Sequence, residues 1–194
     1  MSARSHRLTT PRLLLRRFTT ADAELLLGLD NDPEVMRYIN NGEPVPREEI
    51  VDDVLPAFLR HYERWTDLGF FAAEERDSRR FCGWFHLRPG EGHDIDEPEL
   101  GYRLHRFACG RGLATEGSRA LIDDAFRHLG VQRVLAETMV VNTASRRVME
   151  KCGMRLVRMF HADWPVRIPG DEHGDVEYAI SRADWLADPS YAPA

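Results

Sequence analysis

The segment "ELGYRLHRFACGRGLATEGSRALIDDAFRHLGVQRVLAETMV" (99–140) restricts the possible folds more than any other part of the chain. It opens with strand-like residues, passes through a turn carrying Gly110 and Gly112, and enters a helical repeat that ends at Gly130. Positions 117, 121, 125 and 129, joined by 114, 122 and 126, recur at the helical period, so one face of this helix must be covered. A β-rich stretch, 131–140, follows at once. Strand, glycine turn, helix and strand in that order require a sheet with a helix packed on it.

The remainder has the same mixed character. Strands are expected over 11–18, 70–76, 80–87, 154–160 and 175–181. Thr19 or Thr20 caps a helix running to Leu29, Pro33 opens a short one, and 143–153 forms another closed by Gly153. A helical period spans 47–65, with Pro56 expected to bend it, and a brief helix begins near Arg182. The stretches 40–46, 90–98 and 165–174 read as loops. With 194 residues, 43% of them hydrophobic, and no internal repeat, the chain is expected to be one domain, 1–194, of mixed α/β (α+β) class.

Net charge is −6, which gives no reason to expect nucleic acid or an anionic membrane as partner and is compatible with a cationic substrate. No apolar run reaches the length of about 18 residues that a membrane span needs. The opening "MSARSHRLTTPRLLLRRF" is cut by Arg12, Arg16 and Arg17, unlike a signal peptide. Cys82, Cys109 and Cys152 lack C-x-x-C spacing and fit reduced thiols, so a cytoplasmic protein is expected. The eight histidines are scattered without an H-x-x-x-H pair, and no metal is expected. The acidic stretch 161–175, with His161, Asp163, Asp171, Glu172, His173 and Asp175, reads as a solvated loop before it reads as a cation site.

The glycine turn invites two readings. It is a plain bend, or it offers free backbone N–H groups to an anion, with no Cβ at Gly110 and Gly112 to keep a phosphate away and Arg111 adding charge. A P-loop is excluded, because no Lys–Ser/Thr pair follows the glycines. A dinucleotide fingerprint fails at Thr115, and the preceding strand alternates like a half-exposed one, which leaves a nucleotide oxidoreductase as the third choice.

Acyl-coenzyme A binding is the remaining device, and here several blocks matter together. "LTTPRLLLRRFTTADAELLLGLDNDPEVMRYI", "ELGYRL", "GRGLATEGSRALIDDAF" and "RVLAETMVVNTASRRVMEKCGM" occur in order. Over roughly 8–186 the chain resembles the GCN5-related N-acetyltransferases (GNAT), in the RimJ/RimL-type branch of ribosomal-protein N-terminal acetyltransferases. The resemblance implies a central, mostly antiparallel sheet flanked by helices and splayed between its fourth and fifth strands. It also implies acetyl-coenzyme A with its pantetheine arm in that gap beside Leu104. The diphosphate would rest on the turn of Cys109, Gly110, Arg111, Gly112, Leu113 and Ala114, adjoining Thr115. Cys109 departs from the Q/R-x-x-G-x-G/A pattern of the family at its first position.

The chemistry needs a neutral amine, a stabilised oxyanion and a leaving thiolate. An alkyl amine has a reference pKa of about 10.4 and arrives mostly charged; a carboxylate near the gap could accept that proton, directly or through water. By resemblance Glu99 stands where that carboxylate is often found, with Glu137 in reserve. The tyrosine that many relatives offer the thiolate is Met149 here; Ser145 would hydrogen-bond the sulfur instead and Asn142 would anchor the pantetheine arm, unless Asn142 is only a helix cap. Backbone N–H groups near Arg103 and Leu104 would meet the oxyanion. Tyr38 and Trp84 are expected at the acceptor site, with Asp163 and Trp164 from the last hairpin, and Trp65 as a core or cleft-lining ring. The implied function is acetyl-coenzyme A-dependent N-acetylation of a primary amine by direct attack. The acceptor is a protein or peptide N-terminal α-amine or a small-molecule amine, and the protein a monomer or homodimer. A non-catalytic acyl-coenzyme A-binding or regulatory module, or a longer donor such as succinyl-coenzyme A, are the alternatives.

Overall fold

Eight strands, some buried along most of their length such as Gly69–Glu75 and Phe81–Pro89, join one sheet. The computed structural model describes residues 6–90, 95–164 and 166–191; residues 91–94 of the expected 90–98 loop and the tail past 191 lie outside the described residues. The strands are β1 (His6–Thr9), β2 (Leu13–Arg17), β3 (Gly69–Glu75), β4 (Phe81–Pro89), β5 (Pro98–Leu104), β6 (Arg133–Met139), β7 (Arg155–Phe160) and β8 (Asp175–Ser181). Their order is β1-β2-β3-β4-β5-β6-β8-β7, and every neighbouring pair is antiparallel except β5 and β6. Those two meet in parallel at a single bridge, Glu99↔Leu135, and then part. The splay lies where it was expected, between the strands at 99–106 and 131–140; because β1 was not anticipated, these are counted as β5 and β6.

Helices cover both faces. On one side lie α1 (Ala23–Asp30), α2 (Pro33–Met36), α3 (Arg47–Glu49) and α4 (Leu55–Arg64). Leu26, Leu29 and Phe58 from this group pack on Phe70 and Trp84 of the sheet. On the other side α5 (Leu113–His128) sets Leu121, Ile122 and Phe126 against Phe71, Phe85, Val134 and Tyr178. Gly117 lets α5 lie this close, because a Cβ there would come 2.3 Å from the Phe85 ring. The buried face of α5 also includes Ser118 and Asp124, which an apolar pattern does not reveal. α6 (Thr143–Lys151) and α7 (Arg182–Ala187) complete the layer.

Pro56 acts differently from the expected bend. Residues Ile50–Val54 form a π-helical turn in which Leu55 N donates to Ile50 O. Pro56 then falls in the first turn of α4, where a missing N–H costs nothing. Arg16 ties the sheet to the start of α1: its Nε reaches Glu74 at 2.6 Å and its two terminal nitrogens reach Asp22 at 2.8 Å.

Candidate active site

The parting of β5 from β6 leaves half of the β5 hydrogen-bonding groups without a strand partner. His105 N donates to Cys82 O at 2.8 Å, and the β4–β5 register runs unbroken from Gly83↔Leu104 to Pro89↔Pro98. Odd-numbered amides of β5 therefore face β4, and even-numbered ones, Tyr102 and Leu104, face the gap. Of the two expected oxyanion donors, Leu104 N–H is in the gap. Arg103 N–H is turned toward Trp84 on β4, which corrects that expectation.

Past β5, a short 3₁₀ turn (Arg106–Ala108) leads to the glycine turn. Gly110 and Gly112 have φ of 72° and 79°, left-handed values that strain any residue with a Cβ. The first α5 hydrogen bond runs from Glu116 N to Gly112 O at 3.0 Å, so the N–H groups of Leu113, Ala114 and Thr115 precede the helical ladder. A cleft of about 690 Å³ is bordered by Leu104, Cys109, Gly110, Gly112, Leu113, Ala114 and Thr115. Arg111 is not among the bordering residues; its guanidinium bonds to Glu75 at 2.6 Å. Its side-chain charge is therefore spent on β3 rather than presented to the cleft. Partial burial pushes the Cys109 thiol above the ordinary cysteine value, which opposes a nucleophilic thiolate there.

Across the gap, Asn142 caps α6. Its Oδ1 accepts from Ser145 N at 3.2 Å and its Nδ2 donates to Thr138 Oγ1 at 3.1 Å. Ser145 and Met149 both border the cleft. So does Tyr102, which sequence reasoning passed over as an ordinary strand residue. Burial pushes its phenol up to about 12, against a hydrogen bond with Ser145 that lowers it. The pleat carried the signal: Leu100, Tyr102 and Leu104 share the α5 face of the strand.

Glu99, Gly101 and Arg103 lie on the opposite face, beside Arg88, His86 and Trp84 of β4. Arg88 Nη2 is 3.2 Å from Glu99 Oε2, and His86 Nε2 is 4.0 Å from Oε1. Burial first, then Arg88, holds His86 well below the ordinary histidine value, so its imidazole is neutral at neutral pH. The ring rests on Gly101, where a Cβ would come 2.1 Å from Nε2. Glu137 shares this face from β6, two residues past the Leu135 bridge to Glu99. Partial desolvation by the surrounding cleft, then Glu99 and Glu177, raise the pKa of this exposed side chain, with Arg158 opposing from 3.7 Å.

Tyr38 borders the cleft and accepts a hydrogen bond from Arg37 at 2.7 Å. Trp84 borders it too, packed edge-on against Phe58 and Phe70 and beneath Arg103, which pairs with Asp30 at 2.6 Å. Trp164 reaches the cleft and donates to Asp175 at 3.2 Å, whereas Asp163 and Trp65 are not among the bordering residues. Among the described residues, no group of three or more His, Cys, Asp or Glu side chains could hold a metal ion, and no helix is long and apolar enough to cross a membrane.

A strand gap with unpaired amides, a glycine turn at a helix start, and two carboxylates on one side of the opening define an acyl-coenzyme A-dependent transferase. Residues 12–155 match the Acetyltransferase (GNAT) domain, and the chain belongs to this family. It is an N-acetyltransferase whose donor is acetyl-coenzyme A. It is 34% identical to the FsC-acetyl coenzyme A-N(2)-transacetylase of Aspergillus fumigatus, over 92% of this chain and 77% of that one. The fold is shared with RimL, a ribosomal-protein alpha-N-acetyltransferase solved with coenzyme A, at a TM-score of 0.73 and 17% identity, over 91% and 97% of the two chains. It is shared equally with a spermidine N-acetyltransferase from Vibrio cholerae solved with coenzyme A and spermine, at 0.71 and 16%, over 90% and 98%.

Proposed function

We propose that the protein acetylates an α-amine, one attached beside a carbonyl carbon, on a small molecule or a peptide N-terminus. The observation that carries the reading is the pair of carboxylates at the cleft mouth, where one is held by a cation and the other is not so closely held. Arg88 lies 3.2 Å from Glu99 and offsets its charge. Glu137 has a raised pKa and serves as the base. This reverses the order expected from the sequence. An α-amine, with a reference pKa of about 7.7–8.0, needs only such a modest base. The mixed charge of the cleft lining, which includes Arg37 and Arg103 as well as the glutamates, favours an acceptor carrying its own oxygen atoms over a polycation. The relative that is 34% identical acts, by its name, on a nitrogen numbered 2 of FsC, which supports a small-molecule acceptor.

The cleft residues fit the donor. The amides of 110–115 at the start of α5 suit a diphosphate, and Gly110 leaves open space where a Cβ would stand. Leu104 N–H suits the thioester oxygen. In the reaction the acceptor nitrogen bonds to the acetyl carbon and the carbon–sulfur bond breaks. Glu137 takes the amine proton, directly or through water, and the Ser145 hydroxyl, backed by the Tyr102 phenol, hydrogen-bonds the departing thiolate. The test is thiol release from acetyl-coenzyme A across a panel of α-amino compounds, polyamines and aminoglycosides, with product masses. Turnover confined to the α-amino compounds is expected. Turnover confined to polyamines rejects the acceptor class, and coenzyme binding with no turnover on any amine favours a non-catalytic module.

A further inference from the structure

Glu116 poses an electrostatic problem. It lies in the first turn of α5, the helix end assigned above to the coenzyme diphosphate, where a carboxylate repels a second anion. The structure surrounds it with donors. Its Oε1 accepts from the Thr10 hydroxyl at 2.6 Å and from Arg12 N at 2.8 Å, and its Oε2 accepts from Arg12 Nε at 2.6 Å. Burial alone would raise the Glu116 pKa, but these donors outweigh it and hold the carboxyl below its ordinary range. Glu116 is therefore an anion at neutral pH, with Arg12 as its counterion.

The same guanidinium has a second attachment. Arg12 Nη1 donates to the Arg111 carbonyl at 2.8 Å, inside the glycine turn, and its Nη2 lies 3.5 Å from where a Cβ on Gly112 would stand. Arg12 and Thr10 are themselves held. Leu13 N donates to Thr10 Oγ1 at 2.8 Å, Arg76 N donates to Arg12 O at 2.9 Å, and Arg76 Nη1 donates to Thr10 O at 3.1 Å. The connection between β1 and β2, more than 90 residues away in sequence, thus grips the turn from outside.

We propose that Thr10, Arg12 and Glu116 are the positioning unit of the coenzyme turn. Arg12 cancels a carboxylate that would otherwise oppose the diphosphate, and it fixes the Arg111 carbonyl so that the amides of 110–115 keep facing the cleft. The inference rests on the reading that this turn receives the coenzyme, and all three residues act through the turn.

Calorimetric titration with coenzyme A tests it, using wild type, R12A, E116Q, R12K and the double variant R12A/E116Q. No heat with folded wild type overturns the underlying reading and this inference with it. Where wild type binds, R12A is expected to weaken coenzyme A about tenfold, the effect of one uncompensated charge at this range. KM for acetyl-coenzyme A rises in parallel, while kcat at saturating donor stays within about twofold. The double variant is expected to bind about threefold better than R12A, because the stranded carboxylate is gone. A purely structural cross-link predicts no such recovery. R12K keeps the charge but not the forked hold on the Arg111 carbonyl, so it is expected to bind between R12A and wild type, which guards against an R12A chain that fails to fold. The R12A deficit also shrinks with added salt, as screening shortens below about 10 Å. A double variant no better than R12A, or an R12A that binds like wild type, overturns the proposal.

Discussion

A glutamate accepts a proton more readily the less its anion is stabilised. Glu99 has Arg88 at 3.2 Å; Glu137, the proposed base, has Arg158 at 3.7 Å, against desolvation and the acidic neighbours Glu99 and Glu177. With an α-amino acceptor, E137Q is expected to lower kcat/KM by about 10²-fold, and E99Q by less. Because the base works deprotonated and its pKa is raised, the acid limb of the wild-type pH–rate profile lies above the ordinary glutamate value of about 4.3. E137Q loses that limb. A limb that survives in E137Q and vanishes in E99Q would return the role to Glu99. The resemblance put Glu99 first and Glu137 in reserve, but the sequence holds no sign of Arg88's place beside Glu99, since Arg88 is eleven positions from one and forty-nine from the other. Tyr102 was hidden for a related reason: its bearing on Ser145 comes from two elements meeting across the gap.

At the scale of elements, the active feature is the edge of β5 that β6 abandons. Hydrogen exchange followed residue by residue is expected to be fast at Tyr102 and Leu104 without ligand and slow at Arg103, whose amide bonds to β4. Acetyl-coenzyme A is expected to slow Leu104 and the 110–115 amides and leave Arg103 unchanged. Uniform protection along β5 in the free protein would contradict the gap. Much at this scale was legible. The helical period over α5 and the β-rich runs flanking it specify strand, turn, helix and strand from local sequence alone, because a covered face demands the repeat. β1 was missed because four residues give too short a pattern, and its place is set by pairing with β2. The π turn before Pro56 was missed because a proline announces only that a hydrogen bond is absent, and the chain had two ways to accommodate that.

At the scale of the whole molecule, pH acts through buried imidazoles. Burial, as the leading cause, lowers the pKa of His61, His86 and His105 in the folded chain. The unfolded chain, with histidine near about 6.5, then binds more protons than the folded one as the solution is acidified. Stability is full above that value and is lost as pH falls below it. The thermal midpoint is expected to drop between about pH 7.5 and about pH 5.5, and an H86Q variant to show a shallower drop; a flat or rising midpoint would refute this. The sequence by itself determined the mixed sheet, the glycine turn and the helix behind it, because hydrophobic period and left-handed backbone are properties of neighbouring residues; the family was legible only as a resemblance of several ordered blocks. Only the tertiary structure decided which amides face the gap, that Arg111 turns away to Glu75, that Arg12 pairs with Glu116, and that Arg88 lies against Glu99 while Arg158 lies against Glu137. Those outcomes depend on charges and hydrogen bonds between residues far apart in the chain, and no local pattern records such distances.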